Sequence, residues 1–454
     1  MLTYELKKQP GLPLYEALYR CIREDILSGK LPAGTKLPSK RALSSHLKVS
    51  KITVENAYGQ LLQEGYLTSR EKIGYFVEET GHPAPVPEAT PVPVPENTPY
   101  LDLTANGSAD FPFSVWMRLQ RQVMLDLGET LLLPLHNQGL WELRREIARH
   151  LAAFRLMPVD PEQIVIGAGT DILYNLLIQL LGRNRQYAVE EPGYDKIRKI
   201  YTACGARCRS IPLDPFGVCP EQLGDAEVLH ISPTHHFPTG IVTPKQRRQA
   251  LLKWAAAGDR YIIEDDYDSE FRAGTHQMPT MAAMDTAGRV IYMNTFSKSL
   301  APSIRISYMV LPPALLHSYR QQLGFYSCTV SSFEQYTLAR FLEQGYFEKH
   351  INRMRRFYKL QRQRVLDEIQ KCPLRFTIRE ENAGLHFIMQ VETALSEEAL
   401  VARFRQAGLG VRTLSSYYHG AVPPEDRKCL LINYSGLTEP VLQRLRQCLS
   451  LLEL

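Results

Sequence analysis

Cysteine is sparse in this chain: eight residues among 454, the nearest two being Cys204 and Cys208, with no Cys-x-x-Cys pair. That spacing leaves neither a zinc site nor a dithiol redox motif a foothold, and it points to reduced thiols in packed regions. No apolar run reaches the roughly eighteen residues that would span a bilayer. The opening stretch, MLTYELKKQPGLPLYEAL, lacks the basic-then-apolar order of a secretory leader. The expectation is a cytoplasmic protein with no membrane partner and no metal. Internal repeats are absent as well, which excludes solenoid architectures. One local absence is informative: between Ile26 and Val54 there is no carboxylate, while Lys30, Lys36, Lys40, Arg41, Lys48 and Lys51 all fall there.

What is present is a globular composition, 44% hydrophobic and 22% charged, with a formal net charge of +5. The length suits two domains better than one, and composition divides the chain into three regions. Residues 1–80 are basic and helical in pattern. From His82 to Pro99 the text reads HPAPVPEATPVPVPENTP, with seven prolines in eighteen residues. Proline fixes φ and donates no hydrogen bond, so residues 81–100 are expected to form a polyproline-like spacer, reaching about 50 Å. From residue 101 to 454 apolar strand-like runs alternate with helical patterns, the signature of an α/β domain.

In the first region Leu14, Leu18, Ile22 and Ile26 recur every four residues, which predicts an amphipathic helix ended by Gly29 and Pro32. Ser39 is placed to cap a short second helix carrying Ala42, Leu43 and Leu47. Ser50 caps a third that buries Val54, Ala57, Tyr58, Leu61 and Leu62. Two short helices joined by a tight turn describe a helix-turn-helix. Ser50, Lys51 and Thr53 would then face bases or phosphates, with Lys40 and Arg41 at the start of the preceding helix. After Gly65, YLTSREKIGYFV reads as a hairpin turning near Glu71–Gly74, a wing with Arg70 and Lys72 set for phosphates. LPSKRALSSHLKVSKITVENAYGQLLQEGYL followed by GYFV resembles the winged-helix head of GntR-family regulators, which implies promoter DNA as a partner. Glu55 and Asn56 depart from it, since relatives often carry a basic residue there.

Four segments of the large region carry chemistry. In QIVIGAGTDILYNLLIQLL a strand, a glycine turn and a helix follow one another, so Gly169 and Thr170 would offer backbone N–H groups to a phosphate. YIIEDDYDSEF is an apolar strand ending in acid. Alternation puts Asp265 and Tyr267 on one face and Asp266 on the other, which favours Asp265 as partner of a protonated pyridine nitrogen and Tyr267 as partner of the ring oxygen. In RVIYMNTFSKSLAPSIRISYMVL, Lys298 lies between two strands with Thr295, Ser297 and Ser299 nearby and Arg305 seven residues on. A lysine of this kind forms a Schiff base with an aldehyde cofactor, while hydroxyls and a guanidinium bind its phosphate. In VEEPGYDKI, Tyr194 is a candidate to stack on the cofactor ring, with Lys196 just beyond it.

Together these segments resemble the fold-type I pyridoxal-phosphate enzymes, and specifically the aminotransferase-like domain of MocR/GabR-type regulators, from about Leu101 onward. The resemblance implies an α/β fold, with an N-terminal winged helix-turn-helix, a mainly parallel sheet and a smaller C-terminal α/β subdomain. It implies pyridoxal phosphate on Lys298, with Asp265, Tyr267, Gly169, Thr170, Thr295, Ser297 and Arg305 around it, and a head-to-tail homodimer. The sequence departs from the pattern in SPTHHFPTG. Aminotransferases usually have Asn where Phe237 stands, and the regulators usually have Gln where His236 stands. The arginine that binds a substrate carboxylate is also missing, Leu430, Leu431 and Ile432 occupying that strand; Arg412 and Lys196 are the candidate substitutes. The expected function is a regulator in which an amine or amino-acid effector, or pyridoxal phosphate itself, modulates promoter binding. A working aminotransferase is the alternative.

Overall fold

The computed structural model describes residues 2–4, 6, 13–79, 101–104, 111–271, 278–379 and 384–450. The spacer expected over 81–100 lies outside the described residues. The chain divides into two compact units, Met1–Glu96 and Asn97–Leu454.

In the first unit, helix α1 (Leu14–Leu27) buries Leu18, Tyr19, Ile22 and Ile26, as its period of four requires. Helix α2 (Lys40–Leu47) is capped by Ser39, whose hydroxyl accepts from the Ala42 amide. Leu43 is its only buried residue. Ala42 and Leu47, expected in the core, are half-buried. Helix α3 (Lys51–Gln63) is capped by Ser50 and buries Val54, Ala57, Tyr58 and Leu61 against α1 and α2. Strands β1 (Leu67–Arg70) and β2 (Gly74–Val77) pair antiparallel, Arg70 opposite Gly74, and close the wing.

The second unit is built on an eight-stranded sheet. Its order is Ile164–Gly167, Ser307–Val310, Val290–Thr295, Tyr261–Asp265, Val228–Ile231, Gln186–Glu191, Arg207–Asp214 and Gly217–Val218. The five strands from Val290–Thr295 to Arg207–Asp214 run parallel, while Ser307–Val310 runs antiparallel to both neighbours. Tyr261–Asp265 is buried throughout because helices cover both faces of a parallel sheet. Ile263 enters one hydrophobic cluster and Ile262 another. A smaller antiparallel sheet orders Phe376–Arg379, His386–Val391, Cys429–Asn433 and Arg412–Thr413. Helix α4 (Phe113–Leu127) and helix α5 (Trp141–Arg155) precede the large sheet, and helix α6 (Thr170–Leu181) follows its first strand. Among the described residues no helix is long and apolar enough to cross a membrane.

Candidate functional site

Gly167, Glu191, Ile231, Asp265 and Thr295 all end strands of the large sheet, and a cavity of about 380 Å³ opens beside them. This is where doubly wound sheets bind ligands, because loops diverge beyond the carboxyl ends of parallel strands. Thr170, Tyr194, Lys196, Asp265, Tyr267, Thr295, Ser297, Lys298, Arg305 and Arg412, singled out in the sequence, all line it.

Lys298 lies on a short helical turn, Phe296–Ser299, directly after the strand that ends at Thr295. Its ammonium faces the Tyr267 ring, 5.9 Å from the centroid. Burial pulls its pKa below the usual lysine value, with Asp268 and Asp265 pulling the other way. A lysine so placed is more readily a neutral nucleophile than a surface one. Asp265 accepts a 2.6 Å hydrogen bond from the Tyr174 hydroxyl at Oδ2, and the same oxygen is 3.5 Å from His230 Nε2. His230 in turn meets the Tyr201 hydroxyl at 2.7 Å through Nδ1. The other oxygen, Oδ1, is buried with no hydrogen-bond partner, a costly state for a carboxylate unless a ligand answers it. Asp266 is committed elsewhere, to Arg155 at 2.5 Å and to the Tyr292 hydroxyl at 2.7 Å.

Gly169 does not itself line the cavity but precedes Thr170, which does; it caps α6 with φ +93°, a conformation that disfavours any side chain. A Cβ on it would fall 2.2 Å from Arg305 Nη2, so glycine here makes room for the guanidinium. Arg305 and Lys196 share Asp171, at 3.1 and 2.6 Å. The Ser297 hydroxyl is buried and unpaired. Thr295 differs: its hydroxyl accepts from the Ser297 amide and from the Ser307 hydroxyl, at 3.1 and 2.7 Å, so it braces the loop.

The remaining wall is aromatic. Phe237 stands edge-on to Tyr194, His386 and Tyr417, with ring centroids 6.0, 5.3 and 5.3 Å away. His386 donates from Nε2 to the Pro238 carbonyl at 3.0 Å, and burial pushes its pKa down to about 3, keeping the ring neutral. Glu190, also lining the cavity, is pushed up to about 8 by burial, Asp265 adding to the effect. Arg412 pairs in register with Leu431, beside the strand where the carboxylate-binding arginine was missing. No carboxylate among the described residues pairs with it, whereas Lys196 is held by Asp171.

Sequence reasoning missed Tyr174, His230, Asp171, Asp268 and His386. Two of them left a trace: Tyr174 stands one helical turn after Thr170, and His230 is a polar residue inside the apolar run VLHI. In the head, Lys40 forms a 2.6 Å ion pair with Glu55. The Ser50 and Thr53 hydroxyls bond each other at 2.8 Å. Arg70 covers the Phe76 ring at 4.7 Å, Lys72 turns the wing with φ +60°, and Arg41 and Lys51 are exposed.

Residues 98–449 match the family model for aminotransferase class I and II, and residues 14–77 match that for bacterial regulatory proteins of the gntR family. An uncharacterised HTH-type transcriptional regulator of Bacillus subtilis, YdeL, is 38% identical, with 96% of each chain covered. The probable rhizopine catabolism regulatory protein MocR of Rhizobium meliloti is 30% identical, covering 95% of this chain and 92% of its own. Among solved structures, Pyrococcus horikoshii kynurenine aminotransferase superposes with a TM-score of 0.68 at 24% identity, over 78% of this chain and 91% of that one. At that identity the likeness concerns the fold.

Proposed function

Because the chain belongs to the MocR family of transcription regulators, a gntR-type DNA-binding head joined to an aminotransferase-like domain, we propose that an amine or amino-acid effector taken up at Lys298 modulates its hold on promoter DNA. The aminotransferase class I and II family uses pyridoxal phosphate, and the cavity's residues fit that group. Asp265 Oδ1, buried and unpaired, suits a protonated pyridine nitrogen. Ser297 Oγ, Thr170, Arg305 and the amides beginning at Gly169 suit a phosphate. Tyr267 would take the ring oxygen, Tyr194 the ring face, and Lys298 the covalent anchor. Bound there, the cofactor supplies an electrophilic carbon open to primary amines.

The protein's own residues set the selectivity of that carbon. Burial keeps Lys298 a ready nucleophile and leaving amine, while Tyr174 and His230 hold Asp265 in place. The wall of Phe237, neutral His386 and Tyr417 excludes water from the effector's body. Arg412, without a carboxylate partner, is assigned to an anionic group on the effector. The carrying observation is the convergence of a buried lysine and an unpaired buried aspartate oxygen in one cavity. Self-association is supported by Phe113, Met117, Leu125, Leu132 and Leu133, large apolar side chains left exposed on α4 and the turn after it; the head-to-tail arrangement is what the family resemblance implies.

A second reading, a working aminotransferase, draws on the same cofactor set. A screen of primary amines against the cofactor-loaded full-length protein separates the two, with visible absorbance and DNA footprinting read together. Regulation predicts that one or a few amines change both the spectrum and DNA affinity, by about 1–3 kcal/mol of coupling. Sustained amino-group exchange with a keto acid, together with DNA binding indifferent to sequence, would overturn it. A response to pyridoxal phosphate that no amine alters would make the cofactor itself the signal.

A further inference from the structure

Helix α3 presents a narrow stripe to solvent. Val54, Ala57, Tyr58 and Leu61 face the core, and Ile52, Glu55, Asn56 and Gly59, three or four residues apart on the other side, are exposed. Two features of this stripe have no explanation inside the fold. Ile52 is 67% exposed in the first turn of the helix, adding nothing to the core beside it. Gly59 stands in the helix interior, where glycine weakens a helix, yet a Cβ there would meet nothing within 4 Å. Packing does not ask for glycine at this position. Polar competitors are already engaged: Ser50 and Thr53 bond each other, and Glu55 is held by Lys40 at 2.6 Å.

We propose that this stripe reads A·T base pairs in the major groove, Ile52 packing on a thymine methyl and Asn56 pairing bidentately with an adenine, while Gly59 lets the helix lie close to the groove wall. The assignment rests on the DNA-binding reading above and adds the bases recognised. The chemistry is selective. The thymine C5-methyl is the apolar group that the major groove displays, and an asparagine amide matches the N7 acceptor and N6 donor of adenine. Four helical residues rise about 6 Å, which is roughly two base-pair steps. The two contacts therefore fall on neighbouring or next-but-one pairs of one half-site. Exposed Arg41 and Lys51 remain for phosphates, whereas Glu55 cancels Lys40 as a free charge. The specificity moves from the capping hydroxyls expected in the sequence to residues that look ill-suited to DNA by charge alone.

The test begins with sites selected from a random duplex library by the full-length, cofactor-loaded protein. Each selected thymine is replaced by deoxyuridine, which lacks only the methyl group, and each adenine by 7-deazaadenine. One thymine per half-site is expected to lose roughly fourfold in affinity as deoxyuridine, the worth of one methyl group, and the Ile52→Ala variant to show no such difference. Asn56→Ala is expected to lose about tenfold or more and to relax the preference at one nearby adenine only. Lys51→Ala should instead weaken all sequences alike and lower the salt slope by about 1. Gly59→Ala is expected to increase amide-exchange protection of α3 while weakening DNA binding. Sequence-specific binding that ignores the thymine methyl, or Ile52→Ala keeping the methyl dependence, overturns the assignment and leaves the regulator reading intact. Selection of no sequence at all overturns both.

Discussion

Asp265 ends an apolar strand with one oxygen bonded to Tyr174 and the other buried without a partner. A buried carboxylate left half-satisfied is costly, so cofactor binding should depend on it. Asp265→Ala is expected to lower pyridoxal phosphate affinity about tenfold or more in an absorbance titration, in keeping with a hydrogen bond to a charged group. Tyr174→Phe, which removes only a support, should cost less. Glu264, on the opposite face of the same strand, gives a pH prediction. Its carboxylate accepts from the Met281 and Ala282 amides at 2.8 Å, yet burial, with Asp266 adding, pushes its pKa up to about 7. The folded state thus holds this proton where the unfolded chain has lost it, and stability from this group falls as pH rises from about 4.5 to about 7. Glu264→Gln should flatten the melting temperature over that window; an unchanged slope would place the titration elsewhere. Alternation made this strand legible: it set Asp265 and Tyr267 apart from Asp266 before any contact was known. The contacts these acids make with Tyr174, His230 and Arg155 were not legible, because the partners come from segments distant in sequence.

At the scale of elements, the helices of the head were readable because caps and apolar period agreed. Ser39 and Ser50 each accept from an amide three residues on, and α1 buries the stripe that its spacing of four describes. Ser50→Ala is expected to cost about 1 kcal/mol of head stability, measured as lost amide-exchange protection in α3. No loss would mean that Thr53 or water replaces the cap. The surface roles were less readable. Lys40 looked like a DNA contact by sign, but Glu55, fifteen residues on, reaches it across the two helices. Thr295 looked like a phosphate ligand by spacing, but Ser307 on the neighbouring strand occupies its hydroxyl. In both cases the competing partner belongs to another element, where local pattern carries no information. Arg412 shows the converse: an exposed arginine in a two-residue strand becomes notable once Leu431 is seen beside it.

In the whole molecule, a DNA-binding unit and a cofactor-binding unit are joined in one chain. The apolar side chains exposed on α4 and after it predict self-association. Leu125→Asp with Leu132→Asp should turn a dimer into a monomer in sedimentation, and an unchanged mass would move the interface elsewhere. Lys298 is proposed to couple the effector to DNA. The most direct test of this coupling is promoter affinity for the wild-type protein and for Lys298→Ala, each with pyridoxal phosphate, with and without an amine that alters the wild-type spectrum. The amine is expected to change wild-type affinity about fivefold or more, while the variant binds the same promoter and does not respond. An equal response from the variant would contradict the coupling.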